Sequence, residues 1–127
     1  MKSVVCLFAK YPALGKVKTR LAKEIGDEKA LSVYISLLKG LVKEHSSQSY
    51  EFVVGFTGGN EEKMKEVVGD VSLVDQGSGD LGSRMHSMIQ QLLKDYSSVI
   101  IIGSDIPALD HSLVEEAFSV LEDHDVV

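Results

Sequence analysis

The sequence has few of the residues and runs that mark secreted or membrane proteins. A single cysteine, Cys6, excludes an intramolecular disulfide and is typical of a reducing compartment. The longest uninterrupted apolar runs, Val4–Ala9 and Val99–Ile102, are far shorter than the roughly 20 residues of a membrane helix. No signal-peptide pattern opens the chain. We therefore expect a soluble cytoplasmic protein without a membrane partner.

Acidic residues are missing from the first 23 positions. This stretch holds six basic side chains and no Asp or Glu, whereas the whole 127-residue chain has a net charge of −6, so the remainder carries −12. A short cationic segment on an acidic chain predicts a local anion site. The acidic remainder argues against nucleic acid as a partner, because polyanions are bound by broad basic surfaces.

Short apolar runs alternate with amphipathic segments along the chain. The predicted strands are Ser3–Ala9, Tyr50–Phe56, Val71–Asp75 and Ser98–Ile102, and a fifth begins at Asp125. The predicted helices run from Asp27, taken as an N-cap, to about His45, over Glu61–Val68, from Leu81 to about Tyr96, and through Val114–Leu121.

This alternation, without hairpin signals, predicts an α/β fold with an open, doubly wound, mostly parallel sheet in three α/β/α layers. We expect residues 1–127 to form one domain. Because ligands bind beyond the carboxyl ends of parallel strands, the loops after Ala9, Phe56, Asp75 and Ile102 should lie at one edge of the sheet.

The loop after the first strand is rich in side chains that bind phosphate. Lys10, Lys16, Lys18 and Arg20 supply positive charge, and Gly15 allows the backbone to wrap around a ligand. We expect a short helix near Val17 to add its positive N-terminal end. The alternative is a solvated basic face. A Walker A loop is excluded, because Gly15-Lys16 is followed by Val17, which has no hydroxyl for magnesium.

The loop after the third strand, Gly77–Gly82, matches G-x-G-x-x-G, the pattern of dinucleotide-binding turns. It leaves an NAD-dependent oxidoreductase open, although Asp80 would place a negative charge beside the pyrophosphate. The structural alternative is that Asp80 caps the following helix.

The loop after the fourth strand contains Asp105, at a position where metal ligands and catalytic carboxylates are expected. One carboxylate can hold a magnesium ion whose other ligands are substrate phosphates and water. The alternative is an Asx-turn that closes the strand.

The remaining reactive side chains suggest no nucleophilic catalysis. Cys6 is expected in the core, and His45, His111 and His124 on the surface at helix ends. His86 is expected to be exposed on its helix, and the alternative is that it faces the cleft. No histidine is spaced to activate the cysteine or a serine.

The segments Lys10–Ala22, Gln76–Met85 and Ile102–Leu109 together resemble a bacterial and archaeal family of glycosyltransferase-A-like proteins, the radical-SAM/selenodomain-associated transferase type. That family belongs to the nucleotide-diphospho-sugar transferase superfamily and is similar to phospholactate and molybdenum-cofactor guanylyltransferases. The family continues past the position of Val127 into a Gly-Pro-x-x-Asp-Gly-Gly-Tyr-type segment. The expectation is therefore a chain truncated at its C-terminus.

The resemblance implies a nucleotide-diphospho-sugar transferase fold and a role for each of several residues in its binding site. Nucleotide base and phosphates are expected at Ala9, Lys10, Lys18 and Arg20, the nucleoside beside Gln76, Asp80 and Arg84, and a divalent metal, Mg²⁺ or Mn²⁺, on Asp105. Lys18, Arg20 and Asp105 are the candidate catalytic residues.

The expected function is a metal-dependent nucleotidyl- or glycosyl-transferase that acts on a nucleoside triphosphate or nucleotide-diphospho-sugar and an acceptor that the sequence does not identify. The alternative is a non-catalytic nucleotide-binding module that needs a partner or the further C-terminal segment. The sequence does not indicate an oligomeric state.

Overall fold

The computed structural model describes residues 3–13, 23–46, 48–103 and 111–121. Strands and helices alternate throughout these ranges. The strands are β1 (Ser3–Lys10), β2 (Glu51–Thr57), β3 (Ser72–Asp75) and β4 (Ser98–Gly103). The helices are α1 (Asp27–His45), α2 (Glu61–Val68), α3 (Leu81–Leu92) and α4 (His111–Leu121). The predicted fifth strand and the predicted short helix near Val17 lie outside the described residues.

The four strands form one parallel sheet in the order β3-β2-β1-β4. The chain builds outward from β1 to β3 and then returns to place β4 on the other side of β1. This reversal is the topological switch point at which open α/β sheets bind ligands. The prediction of a doubly wound parallel sheet is confirmed.

Each face of the sheet carries its own apolar core, because successive side chains of a strand point to opposite faces. In β1, Val5, Leu7 and Ala9 face the larger core, which contains buried residues of α1, α2 and α4. Val4, Cys6 and Phe8 face the smaller core, which contains Met88 and Leu92 of α3. The strand is therefore buried on both sides, as its apolar run predicted.

Helix α1 packs through residues spaced three and four apart. Its buried positions are Ala30, Tyr34, Leu38, Leu41, Val42 and His45. The prediction that Asp27 is the N-cap is wrong, because Gly26 holds that position with a φ of 93°. Asp27 is the first helical residue, where its negative charge is favoured by the positive end of the helix dipole.

Two further details differ from the prediction. Helix α3 ends at Leu92 and not near Tyr96, because the N–H groups of Lys94 and Asp95 donate to carbonyls three residues earlier, those of Gln91 and Leu92, and tighten the chain into a turn. Tyr96 still packs against the smaller core, which is why it extended the apolar pattern. His45 is fully buried and not on the surface; its Nδ1 lies 2.6 Å from the Tyr50 hydroxyl.

Within the described ranges, no helix has the length and hydrophobicity needed to cross a bilayer.

Candidate functional site

A pocket of about 490 Å³ lies beyond the carboxyl ends of β1, β2 and β3. Its lining comes from strand ends and from the turn into α3. The lining residues are Phe8, Ala9, Lys10, Thr57, Gln76, Gly77, Gly79, Leu81 and Arg84. The parallel sheet thus brings residues from distant parts of the sequence to one edge, as the topology predicted. The volume is within the range of small-molecule sites.

Gln76 connects three elements at the base of this pocket. Its backbone N–H donates to the Phe56 carbonyl and so continues the β2–β3 ladder by one residue. Its side chain is only 5% exposed. The amide nitrogen donates to the carbonyls of Gly55 at 2.7 Å and Ala9 at 3.3 Å. The side chain therefore fixes the ends of β1 and β2 relative to the turn that follows β3.

Arg84 brings a positive charge to the pocket from the first turns of α3. Its Nη1 donates to the Gln76 side-chain oxygen at 2.6 Å, and its Nε lies 3.4 Å from the Asp80 backbone carbonyl. Both acceptors are neutral, and no carboxylate among the described residues lies within ion-pair distance of this guanidinium. An arginine without an acidic partner is suited to binding an anion.

The Gly77–Gly82 turn is shaped by glycines and by two aspartates. Gly77 and Gly79 have φ values of 83° and 104°, which L side chains rarely adopt. The Asp75 carboxylate accepts the Gly77 N–H at 2.8 Å, an Asx-turn. The Asp80 carboxylate accepts the Ser83 N–H at 2.8 Å and caps α3, which confirms the structural alternative for this residue.

The capping geometry weakens the dinucleotide interpretation of the same turn. Hydrogen bonds from Ser83 hold the pKa of the Asp80 carboxyl below its ordinary value of 3.8, so the group is anionic at neutral pH. A pyrophosphate bound at the N-terminus of α3 would be repelled by the Asp80 carboxylate, which already accepts one of the N–H groups that the pyrophosphate would use. The G-x-G-x-x-G pattern here is accounted for by the turn and its cap.

The end of β1 is held by a tyrosine of α1. The Tyr34 hydroxyl accepts the Lys10 N–H at 2.8 Å and donates to the Lys10 carbonyl at 2.7 Å. The last β1–β4 pair is Phe8 with Gly103, so Lys10 lies beyond that ladder and its two polar groups are paired by the hydroxyl instead. Helix α1 thereby fixes the point from which the basic segment leaves the sheet.

The predicted site residues fall into three groups. Four of them, Ala9, Lys10, Gln76 and Arg84, line the pocket. Asp80 caps α3 beside it and is not among the lining residues. Gly15, Lys16, Lys18, Arg20 and Asp105 lie outside the described residues, so their roles stay predictions.

Five lining residues were not among the predicted site residues: Phe8, Thr57, Gly77, Gly79 and Leu81. The two glycines belong to the G-x-G-x-x-G turn that the sequence singled out. Thr57 ends β2, so its position at the carboxyl edge of the sheet was a usable signal. Leu81 is 55% exposed although apolar, which the sequence pattern of α3 does not distinguish from a core position.

Among the described residues, no group of three or more His, Cys, Asp and Glu side chains is placed to hold a metal. Asp105, the predicted metal ligand, lies outside the described residues. A single carboxylate is compatible with Mg²⁺, which is commonly bound by one or two carboxylates together with substrate phosphates and water.

Residues 41–127 match the sequence model of a family described as "Uncharacterized protein conserved in bacteria" (DUF2064). Among solved structures, the chain is similar to a protein from Desulfovibrio desulfuricans G20 described as a proposed nucleotide-diphospho-sugar transferase, with a TM-score of 0.88 and 32% identity over 96% of this chain and 55% of that one. It is also similar in fold to a cytidylyltransferase from Leptospira borgpetersenii serovar Hardjo-bovis (strain JB197), with a TM-score of 0.64 and 15% identity over 98% of this chain and 50% of that one. The chain thus spans about half the length of these two proteins. No curated protein matches it significantly.

Proposed function

The chain belongs to the bacterial family DUF2064, and we propose that it acts as a metal-dependent nucleotidyl- or glycosyl-transferase on a nucleoside triphosphate or a nucleotide-diphospho-sugar. The observation that carries this proposal is the pocket at the carboxyl edge of the sheet, into which Arg84 brings a guanidinium whose hydrogen bonds to the described residues go to neutral acceptors. Such a pocket suits a ligand that combines a ring with phosphate groups.

The similar structures support the same kind of substrate. The Desulfovibrio protein is described as a proposed nucleotide-diphospho-sugar transferase, and the Leptospira protein as a cytidylyltransferase. Both names imply a nucleoside attached to phosphates. The pocket lies beyond the carboxyl ends of the strands, the edge at which open α/β sheets bind ligands.

In the nucleotidyl reaction, an oxygen of the acceptor's phosphate attacks the α-phosphorus of the nucleoside triphosphate. The bond from the α-phosphorus to the bridging oxygen breaks, and pyrophosphate leaves. Lys18 and Arg20 stabilise the charge on that leaving group, while Lys10 and Arg84 hold phosphate oxygens at the pocket. Catalysis of this kind depends on positioning and on charge stabilisation.

In the glycosyl reaction, the same cations bind the diphosphate of a nucleotide sugar. An oxygen of the acceptor attacks the anomeric carbon, the bond from that carbon to the phosphate oxygen breaks, and a nucleoside diphosphate leaves. In both reactions Asp105 would hold the divalent metal, which supplies additional neutralisation of phosphate charge.

A thermal-shift panel tests the proposal. Nucleoside triphosphates, nucleotide sugars and NAD are each added with and without Mg²⁺ or Mn²⁺. A ligand at about a hundred times its dissociation constant adds about 2.7 kcal/mol to the free energy of unfolding, which raises the melting temperature by several degrees. We expect a metal-dependent rise with a nucleoside triphosphate or a nucleotide sugar. The transferase is contradicted if only NAD raises the melting temperature. It is also contradicted if no nucleotide raises it in a metal-dependent way.

The products then separate the two reactions. Release of pyrophosphate identifies nucleotidyl transfer, and release of a nucleoside diphosphate identifies glycosyl transfer. Binding without either product would favour the nucleotide-binding module.

A further inference from the structure

The Gln76 side chain is already occupied by the protein. A glutamine amide has two N–H donors. In Gln76 they face the carbonyls of Gly55 and Ala9, and the side-chain oxygen accepts from Arg84 at 2.6 Å. With 5% of the residue exposed, a ligand can hydrogen-bond to this amide donor only by displacing one of the two backbone carbonyls. A direct role of these amide N–H groups in recognising the ligand therefore conflicts with the geometry.

Among the described residues, Arg84 is held by this amide and not by a carboxylate. The hydrogen-bond acceptors found there, the Gln76 side-chain oxygen and the Asp80 backbone carbonyl, carry no net charge. The guanidinium therefore keeps its positive charge available, while one of its nitrogens is fixed in direction by a buried group. The remaining N–H groups can bind phosphate oxygens. An arginine that is already restricted in conformation loses less freedom when it binds an anion.

We propose that Gln76 is a positioning residue, which transmits the positions of the ends of β1 and β2 to Arg84, and that Arg84 binds the phosphate groups of the ligand in the pocket. The phosphate-bearing ligand rests on the proposed function. The assignment changes the role that the sequence resemblance implied for Gln76, from a residue beside the nucleoside to one that acts through Arg84.

A double-mutant cycle with inorganic pyrophosphate tests this assignment. Calorimetry gives the dissociation constant for the wild type, Gln76→Ala, Arg84→Ala and the double variant. We expect Arg84→Ala to weaken binding by about tenfold, as for the loss of a charge-assisted hydrogen bond, and Gln76→Ala by about three- to tenfold. In the Arg84→Ala background, Gln76→Ala should change the affinity by less than about twofold, because the residues act as one unit.

Three outcomes overturn the proposal. An equal loss from Gln76→Ala in both backgrounds means that Gln76 acts independently of Arg84. An unchanged affinity in Gln76→Ala means that it does not position the binding group. Absence of pyrophosphate binding to the wild type removes the anion-binding role of Arg84.

Because Gln76 is buried, its loss could also disturb folding. Gln76→Met keeps the length of the side chain without its hydrogen bonds. Gln91→Ala is the matched control, because Gln91 is an exposed glutamine on α3, the helix that carries Arg84. The sequence contains two arginines, Arg20 and Arg84, so the Nε–H region of a ¹⁵N NMR spectrum has at most two signals, and Arg84→Ala assigns them. We expect Gln76→Met to shift or broaden the Arg84 signal in a folded protein without ligand, and Gln91→Ala to leave it unchanged. An unaltered Arg84 signal in folded Gln76→Met overturns the positioning role.

Competition for pyrophosphate distinguishes the source of the phosphate groups. Displacement by CTP indicates a nucleoside triphosphate, and displacement by UDP-glucose indicates a nucleotide sugar. If neither competes while the mutant cycle shows coupling, the positioning role of Gln76 stands and the proposed function fails.

Discussion

At the scale of single residues, the lack of a side chain at Gly55 allows α3 to pack closely against the sheet near the site. A Cβ at this position would lie 3.0 Å from the Cys6 Sγ and 3.1 Å from both the Met88 Cε and the Phe8 Cδ1. We expect Gly55→Ala to lower the free energy of unfolding by about 1–3 kcal/mol, because the smaller core must move to make room. Urea unfolding measures this change.

Gly40→Ala is the matched control for this substitution. Gly40 lies within α1, and a Cβ there would meet no atom within 4 Å. Alanine is favoured over glycine in a helix by about 0.5–1 kcal/mol, so this variant should be more stable than the wild type. Stabilisation by both substitutions would show that Gly55 is not tightly packed.

The buried Tyr34 hydroxyl is a second single-residue determinant, because it pairs both backbone polar groups of Lys10. Tyr34→Phe leaves that N–H and that carbonyl without these hydrogen bonds, and we expect a loss of about 1–3 kcal/mol in the free energy of unfolding. Tyr96→Phe is the control, since the structure records no hydrogen bond for the Tyr96 hydroxyl among the described residues. Equal stability of the two variants in urea would contradict the role assigned to Tyr34.

At the scale of elements, α1 and α4 are joined by one carboxylate. Glu44, near the end of α1, accepts the backbone N–H of His111 at 3.0 Å and lies 2.9 Å from its Nδ1. His111 begins α4, so Glu44 satisfies a donor that the helix itself leaves unpaired. The hydrogen bond with the His111 side chain, followed by the one with its backbone, lowers the pKa of the Glu44 carboxyl from its ordinary value of 4.5.

This shift has a defined consequence for stability. Because the pKa is lower in the folded protein, the ionised Glu44 stabilises it above about pH 4.5, and that contribution is lost as the pH falls through the folded-state pKa. We expect Glu44→Gln to be less stable than the wild type near neutral pH and the difference to shrink in acid. Urea midpoints between about pH 7 and pH 3 measure it. Glu66→Gln, on the exposed side of α2, is the control, and a difference that is constant with pH would contradict the prediction.

The elements were largely predictable because their signals are local. Helix α2 has the bounds that its apolar spacing predicted, and β1 was recognised from its continuous apolar run. The burial of His45 was not predictable, because it depends on Tyr50 and Phe52 of the neighbouring segment. The amide of Gln76 likewise finds partners that are 21 and 67 residues away in sequence. Composition and spacing place such a residue near a site but do not show what it touches.

At the scale of the whole molecule, the pocket exists only because the parallel sheet brings the ends of three strands to one edge. Lys10 and Arg84 are separated in the sequence by the two crossover helices α1 and α2. They line the same pocket because β1, β2 and β3 end at one edge. Of the six basic residues before Glu24, Lys10 ends β1 and four follow it in the sequence, so the cationic segment of an acidic chain begins at the same edge. This arrangement brings positive charge to the pocket without making the protein basic overall.

Ligand binding should therefore protect segments that are far apart in sequence. We expect the nucleotide that raises the melting temperature most to slow amide hydrogen exchange in peptides covering Phe8–Tyr11 and Gly77–Arg84 together, because both contribute residues to the pocket. Peptides from α2 should exchange at the same rate with and without ligand, since no residue of this helix lines the pocket. NAD at the same concentration is the control. Protection confined to the Gly77–Arg84 turn would show that the turn binds a ligand without the end of β1, and the pocket would then not be the nucleotide site. Equal protection by NAD would contradict a site for the transferase's nucleotide.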